Sequence, residues 1–167
     1  VTDFLDRFSW PKSMRWYNPT VKCFTRPWIR PIRSILCLYH GEPIRFRVED
    51  LNLETSNQTY GHRFLAPEAI TVKSFADYER KLEESFVILD HQKRQELIRQ
   101  SLNDKASSLG LTVQWDQALL EEVAGLVDYP FVHLGSIQQD FMPLPPNVLS
   151  TSMRVHQKYF SLLKGNK

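Results

Sequence analysis

Glycine is scarce in this chain: six are scattered along 167 residues. Neither GxxxxGK[ST] nor GxGxxG occurs, which excludes nucleotide binding by either phosphate-cradling loop. Cysteine is scarcer still, with Cys23 and Cys37 the two present. Both sit among apolar neighbours without CxxC spacing, so neither a disulfide nor a zinc site is expected, and both read as buried free thiols. No apolar run approaches the roughly 18–20 residues of a membrane span. The opening VTDFLDRFSW lacks the basic-then-apolar order of a signal peptide, and it starts with Val rather than Met, as a piece of a longer or processed chain would. There is no HExxH or clustered acid–His spacing for a metal, and no GxSxG nucleophile elbow.

Acid is missing locally. Between Arg7 and Arg47 stand nine Lys/Arg and one acid, Glu42, although the whole chain carries only +2. Trp10, Trp16, Tyr17, Phe24 and Trp28 lie between these charges. That combination suits phosphate contacts with base stacking; long basic side chains that merely cover apolar surface are the other reading. Arg26, Arg30 and Arg33 stand in the proline-stiffened FTRPWIRPIR, where fixed φ lowers the entropy lost on ordering. Their guanidinium forks suit phosphate or carboxylate equally.

A length of 167 residues, 42% apolar and 24% charged, is that of one soluble globular domain with a real core. Pro11, Pro19, Pro27 and Pro31 exclude a long helix in the first thirty residues, leaving a helical turn around residues 12–16. Residues 32–39 and 44–48 predict a hairpin turned at His40-Gly41-Glu42-Pro43, with Arg45 and Arg47 pointing outward. Residues 52–59 read as a polar loop, and 69–73 as a short strand. Three helices follow, capped by Ser74, Asp90 and Asp116. Phe75, Tyr78 and Leu82 line the first; Ile98, Leu102, Ala106 and Leu109 line the second, which Gly110 stops. Trp115 and Leu120 are placed as a hydrophobic staple on the third. Residues 131–134 read as a buried strand, Pro145-Pro146 opens a last helix to about His156, and 159–163 turns strand-like. Mixed rather than alternating elements predict an α+β fold, a mixed sheet with several packed helices.

Adjacent Glu121 and Glu122 diverge by about 100° on a helix, so they cannot act as a catalytic pair; one can reach a basic neighbour. His62 in GHRF and His156 in RVHQKYF have the most suggestive histidine settings, with Ser150 or Ser152 as conceivable nucleophile partners.

Several long motifs occur in order: FSWPKSMRW, FTRPWIRPIR, GHRF at residues 61–64, LLEEVAGLVDYP at 119–130, and TSMRVHQKYF at 151–160. The series resembles the beta subunit of bacterial-type glycyl-tRNA synthetase, or the matching half of a fused single-chain form. Departures from that pattern are Ser34 in place of Trp, Tyr60 in place of Arg before GHRF, and Tyr17 in place of Gly. The resemblance implies a single B3/B4-like domain over residues 1–167, with 1–27 an irregular entry segment and 164–167 a hairpin tip lacking its partner strand. It also implies a cytoplasmic enzyme that joins glycine to its tRNA. There the alpha part uses ATP and Mg2+, while this part has no catalytic residue, cofactor or metal of its own and does not aminoacylate alone. Its implied partners are glycine tRNA, the alpha subunit or half, and other beta-subunit domains, with no membrane. Arg15, Arg26, Arg33, His62, Arg63, Arg154, His156 and Lys158 are the expected RNA-binding set. Two alternatives stand beside it: a scaffold holding neighbouring domains without touching RNA, and an editing-type aminoacyl-tRNA hydrolase around His62 and Ser152.

Overall fold

The computed structural model describes residues 2–165, so the expected hairpin tip at 164–167 lies partly outside the described residues. The fold is α+β, built of helices and five two-stranded antiparallel sheets. It divides into two compact units, Val1–Ser85 and Phe86–Lys167.

The first unit begins with α1 (Thr2–Arg7), then β1 (Tyr17–Asn18) paired with β2 (Cys23–Phe24). No helical turn forms at 12–16; Met14 and Trp28 bridge there instead, exchanging backbone hydrogen bonds of 2.9 and 3.1 Å. Proline-rich chain on both sides favours such extended pairing over a helix. A hairpin forms at the expected place but with a tighter turn: β3 (Leu38–Tyr39) pairs with β4 (Glu42–Pro43), two residues expected in the turn, with Tyr39 opposite Glu42. Its two loop residues, His40 and Gly41, have φ of +48° and +85°, the signs that a type I′ turn requires and that glycine makes inexpensive. Arg45 and Arg47 are exposed, while Val48 is buried.

β5 (Arg47–Val48) then pairs with β6 (Leu53–Glu54), and β7 (Gln58–Tyr60) with β8 (Ala69–Thr71). The stretch 52–59, expected to be a loop, therefore supplies two strands, and Ser56 bridges to Leu36 between them. Exposure alternates here except at the half-buried Ser56: 51, 53, 55, 57 and 59 turn inward and 52, 54, 58 and 60 outward. Several inward residues are Thr or Asn, so hydropathy hides the period. Thr55 is buried and satisfied: its hydroxyl accepts from the Phe46 N–H (3.0 Å) and donates to the Ile44 carbonyl (2.6 Å). α2 (Phe75–Glu84) closes the unit, with Ser74 Oγ accepting from the Asp77 N–H. The Asp77 carboxylate reaches back to the Lys73 N–H at 3.0 Å, one residue before the cap. Leu82 is buried, but Phe75 is 71% exposed and so is no part of the core face.

The second unit holds α3 (His91–Ser108), β9 (Thr112–Val113), α4 (Gln117–Leu126), α5 (Pro146–Thr151) and β10 (Leu162–Leu163), the last paired with β9. Asp90 and Asp116 cap α3 and α4 through the N–H groups of Lys93 and Leu119. α3 ends in a Schellman arrangement: Gly110 has φ +64°, its N–H donates to Ser107, and the Leu111 N–H donates to Ala106. Ile98, Leu102, Leu120 and Ala124 form the core between α3 and α4, with Val113, Val132 and Phe160 packed around it. Leu109, placed by spacing on this face, is exposed because the helix stops before it.

Residues 131–134 form no strand. Phe131 is 74% exposed, and its apolar character answers to no partner strand within this unit. Cys23 and Cys37 are free and half-buried rather than buried. No helix among the described residues is long and apolar enough to cross a membrane.

Candidate nucleic-acid interface

The GHRF turn is built around Gly61 and His62. A Cβ on Gly61 would lie 2.4 Å from the Ser85 Cβ and 2.7 Å from its carbonyl oxygen, so only glycine permits this approach to the end of α2. The His62 N–H donates to that same carbonyl at 2.8 Å. Its Nδ1 accepts from the N–H groups of Phe64 (3.3 Å) and Leu65 (3.2 Å), which leaves the neutral ring's proton on Nε2. His62 thereby fixes the turn that presents Arg63 and Phe64. The Arg63 guanidinium lies over the Phe64 ring, 5.3 Å from its centroid, and both residues are exposed. Among the described residues no hydrogen bond joins the His62 ring to a serine side chain.

Arg15 and Arg33 are exposed as well, and neither has an ion pair or side-chain hydrogen bond among the described residues. Arg26 differs. Its Nη2 donates to Asp50 Oδ1 at 2.6 Å and its Nε to both carboxylate oxygens at 3.1 and 3.2 Å. Its backbone N–H donates to Oδ2 at 2.6 Å. Burial pushes the Asp50 carboxyl upward, yet hydrogen bonds and charge from Arg26 outweigh it and hold the group below the ordinary carboxylate value.

The residues of TSMRVHQKYF belong to the second unit. α5 opens into a π-helical turn, Ser152–Gln157. Each turn there is wider than the 3.6-residue repeat. Leu149 and Met153 remain half-buried, whereas His156 leaves the shared face that α-helical spacing assigns it and is exposed. Arg154 Nε pairs with Asp116 Oδ2, and Lys158 Nζ lies 2.8 Å from Glu122 Oε1. Asp116 thus caps α4 and holds Arg154 with one carboxylate. Its pKa is lowered first by the Leu119 N–H and then by Arg154. Of the two adjacent glutamates, Glu122 finds the basic neighbour, and Glu121 accepts from the Gln117 amide at 2.9 Å.

Of the expected set, then, Arg15, Arg33 and Arg63 present guanidinium groups with no ion pair among the described residues, His62 anchors a turn, and Arg26, Arg154 and Lys158 are ion-paired within their own units. Arg94 had no distinguishing signal in the sequence. It donates from Nε to the Ala124 carbonyl (2.8 Å) and from Nη1 to the carbonyls of Ile88 and Leu89. That ties the last turn of α4, whose C-terminal dipole end a cation complements, to the residues just before α3. Among the described residues no group of three or more His, Cys, Asp and Glu could hold a metal ion.

The family model described as "Glycyl-tRNA synthetase beta subunit" matches residues 1–167. This chain belongs to that family. It is 44% identical over 164 residues to the glycine–tRNA ligase beta subunit of Rickettsia bellii, covering 97% of this chain and 24% of the relative. It is 45% identical over 169 residues to that of Cereibacter sphaeroides (97% and 23%), and 42% identical over 168 residues to that of Rickettsia prowazekii (99% and 24%). The chain thus spans about a quarter of the length of the curated relatives it matches.

Proposed function

We propose that this chain is a non-catalytic, tRNA-contacting part of a glycine–tRNA ligase, corresponding to a B3/B4-like region of its beta chain. It supports attachment of glycine to tRNA in the cytoplasm, with ATP and Mg2+ handled by the alpha part. The observation that carries the reading is the exposure of Arg15, Arg33 and Arg63 with no ion pair or side-chain hydrogen bond among the described residues, the first two in the Arg7–Arg47 stretch whose one acid is Glu42. Unpaired guanidinium groups bind phosphate without first giving up a carboxylate. Arg154 and Lys158 would have to exchange Asp116 and Glu122 for phosphate, so they contribute less. His62 acts by holding Arg63 in place. Such contacts position the tRNA and carry little sequence information.

Filter binding of glycine tRNA to the complete synthetase across a salt series tests this. Arg33→Ala and Arg63→Ala should each weaken binding and lower the slope of log K against log salt by about 0.7–0.9. Unchanged affinity and slope in both would remove the RNA role. A second reading, an interdomain or subunit scaffold, is favoured by one feature of the second unit. Phe131, Leu134, Ile137, Phe141, Met142 and Leu144 are all exposed, and Asp140 is the one acid or Lys/Arg between Asp128 and Arg154. A surface so apolar and so poor in charge suits contact with other parts of the enzyme.

A further inference from the structure

The first unit contains a cavity of 220 Å³ that none of the contacts described so far accounts for. Trp16, Tyr17, Trp28, Arg30, Pro31 and Ile32 line it, and among the described residues no acidic side chain does. We propose that it receives one unpaired RNA base, stacked on Trp16, with Arg30 on a flanking phosphate. This rests on the tRNA reading above and specifies how a base is taken.

Three features carry the assignment. The first is an unpartnered platform. Trp28 belongs to an aromatic cluster, its ring 5.5 Å from those of Phe8 and Trp10. The half-exposed Trp16 indole joins no ring pair among the described residues. Base–aromatic stacking asks for such an open face beside a cation. The second is size. The cavity falls below the roughly 300–1,000 Å³ that encloses a whole drug-sized ligand, so it takes a single ring with its sugar and phosphate outside. The third is charge. Arg30 is exposed and has no partner among the described residues, whereas Arg26, also on the wall, is engaged by Asp50. Among the described residues, an anionic group at the rim therefore meets the uncommitted Arg30 guanidinium and no carboxylate.

The walls are set before any ligand arrives. Thr25 accepts the Trp16 N–H at 3.1 Å through Oγ1 and donates its own N–H to the Trp16 carbonyl at 2.8 Å. The Met14–Trp28 bridge holds the other side. Asn18, the one amide side chain on the lining, is used by the fold at both ends. Its Nδ2 donates to the Asp50 carbonyl, and its Oδ1 accepts from the Thr20 N–H. It is not available to read a base edge, so recognition is by stacking and tolerates different bases.

The test uses the complete synthetase. Trp16→Ala should weaken glycine-tRNA binding roughly 5- to 150-fold, the range for loss of one stacked base, with the salt slope unchanged. Trp16→Phe keeps a ring and should retain most of the affinity. Arg30→Ala should lower the slope by about 0.7–0.9. Full affinity in Trp16→Ala, alongside weakened binding in Arg33→Ala and Arg63→Ala, would overturn the pocket and leave the RNA reading standing; full affinity in all of them would overturn both. If Trp16→Ala does not fold, fluorescence decides. Single-stranded oligo(U) and oligo(A) hexamers should quench the wild-type tryptophan emission, and Trp16→Phe should abolish that quench. Equal quenching in both proteins would refute stacking at Trp16.

Discussion

Separating Arg26 from Asp50 is the sharpest energetic test of the first unit. The two side chains retain 16% and 21% of their exposure and meet through Nη2 and Nε, while Asp50 also receives the Arg26 backbone N–H. Fully exposed pairs contribute about 0–1 kcal/mol, and breaking a buried pair costs about 3–5 kcal/mol. This one lies between, nearer the buried limit. Asp50→Ala should cost about 2–3 kcal/mol, since it leaves a guanidinium without its carboxylate and a backbone N–H without its acceptor. Arg26→Ala should cost less, about 1–2 kcal/mol, because Asp50 keeps the backbone N–H, which the substitution does not remove. The double variant should fall short of the sum by about 1 kcal/mol or more, the coupling expected of residues in contact. Urea unfolding followed by tryptophan emission is the assay. Trp10, Trp16 and Trp28, three of the four tryptophans, belong to the unit being perturbed. Additive single effects, or costs under about 0.5 kcal/mol, would show that the pair behaves as an ordinary surface pair and would refute the reasoning.

Gly61→Ala should destabilise the GHRF turn, because its Cβ would meet Ser85 at 2.4 Å where backbone cannot yield cheaply. Faster amide exchange at Phe64 and Leu65 would report it, and unchanged protection there would contradict the packing account. Asp77 is held at about 2, first by Lys81, with the Lys73 N–H and Arg80 adding to it. A carboxyl whose pKa is depressed on folding contributes stability that is complete above its unfolded value and lost as pH falls through its folded one. Acid destabilisation should therefore begin near pH 4 and continue toward pH 2, with Asp50 and Asp116, both lowered, losing their contributions over the acid range as well. Urea midpoints measured between pH 7 and 2 should fall less steeply in Asp77→Asn. An identical profile would exclude Asp77 as a contributor.

Chemistry confined to a few neighbouring residues was legible in the chain itself. Ser74, Asp90 and Asp116 cap helices because a cap needs only its own side chain and an N–H three residues on. His40-Gly41 turns a hairpin and Gly110 ends α3 because positive φ is a local requirement. The motif series also carried family membership unaided. Folding over longer separations was not legible. The strands within 52–59 alternate in exposure, but their inward threonines and asparagine conceal it. The apolar residues 131–134 resemble a buried strand, yet a strand needs a partner edge that composition does not supply. Most of all, the sequence does not tell Arg26 and Arg154 from Arg15, Arg33 and Arg63. Which of them remain open to a ligand depends on acids such as Asp50 and Asp116, 24 and 38 residues away along the chain. A guanidinium's availability is a property of the folded neighbourhood, because an internal carboxylate and a phosphate compete for the same fork of donors.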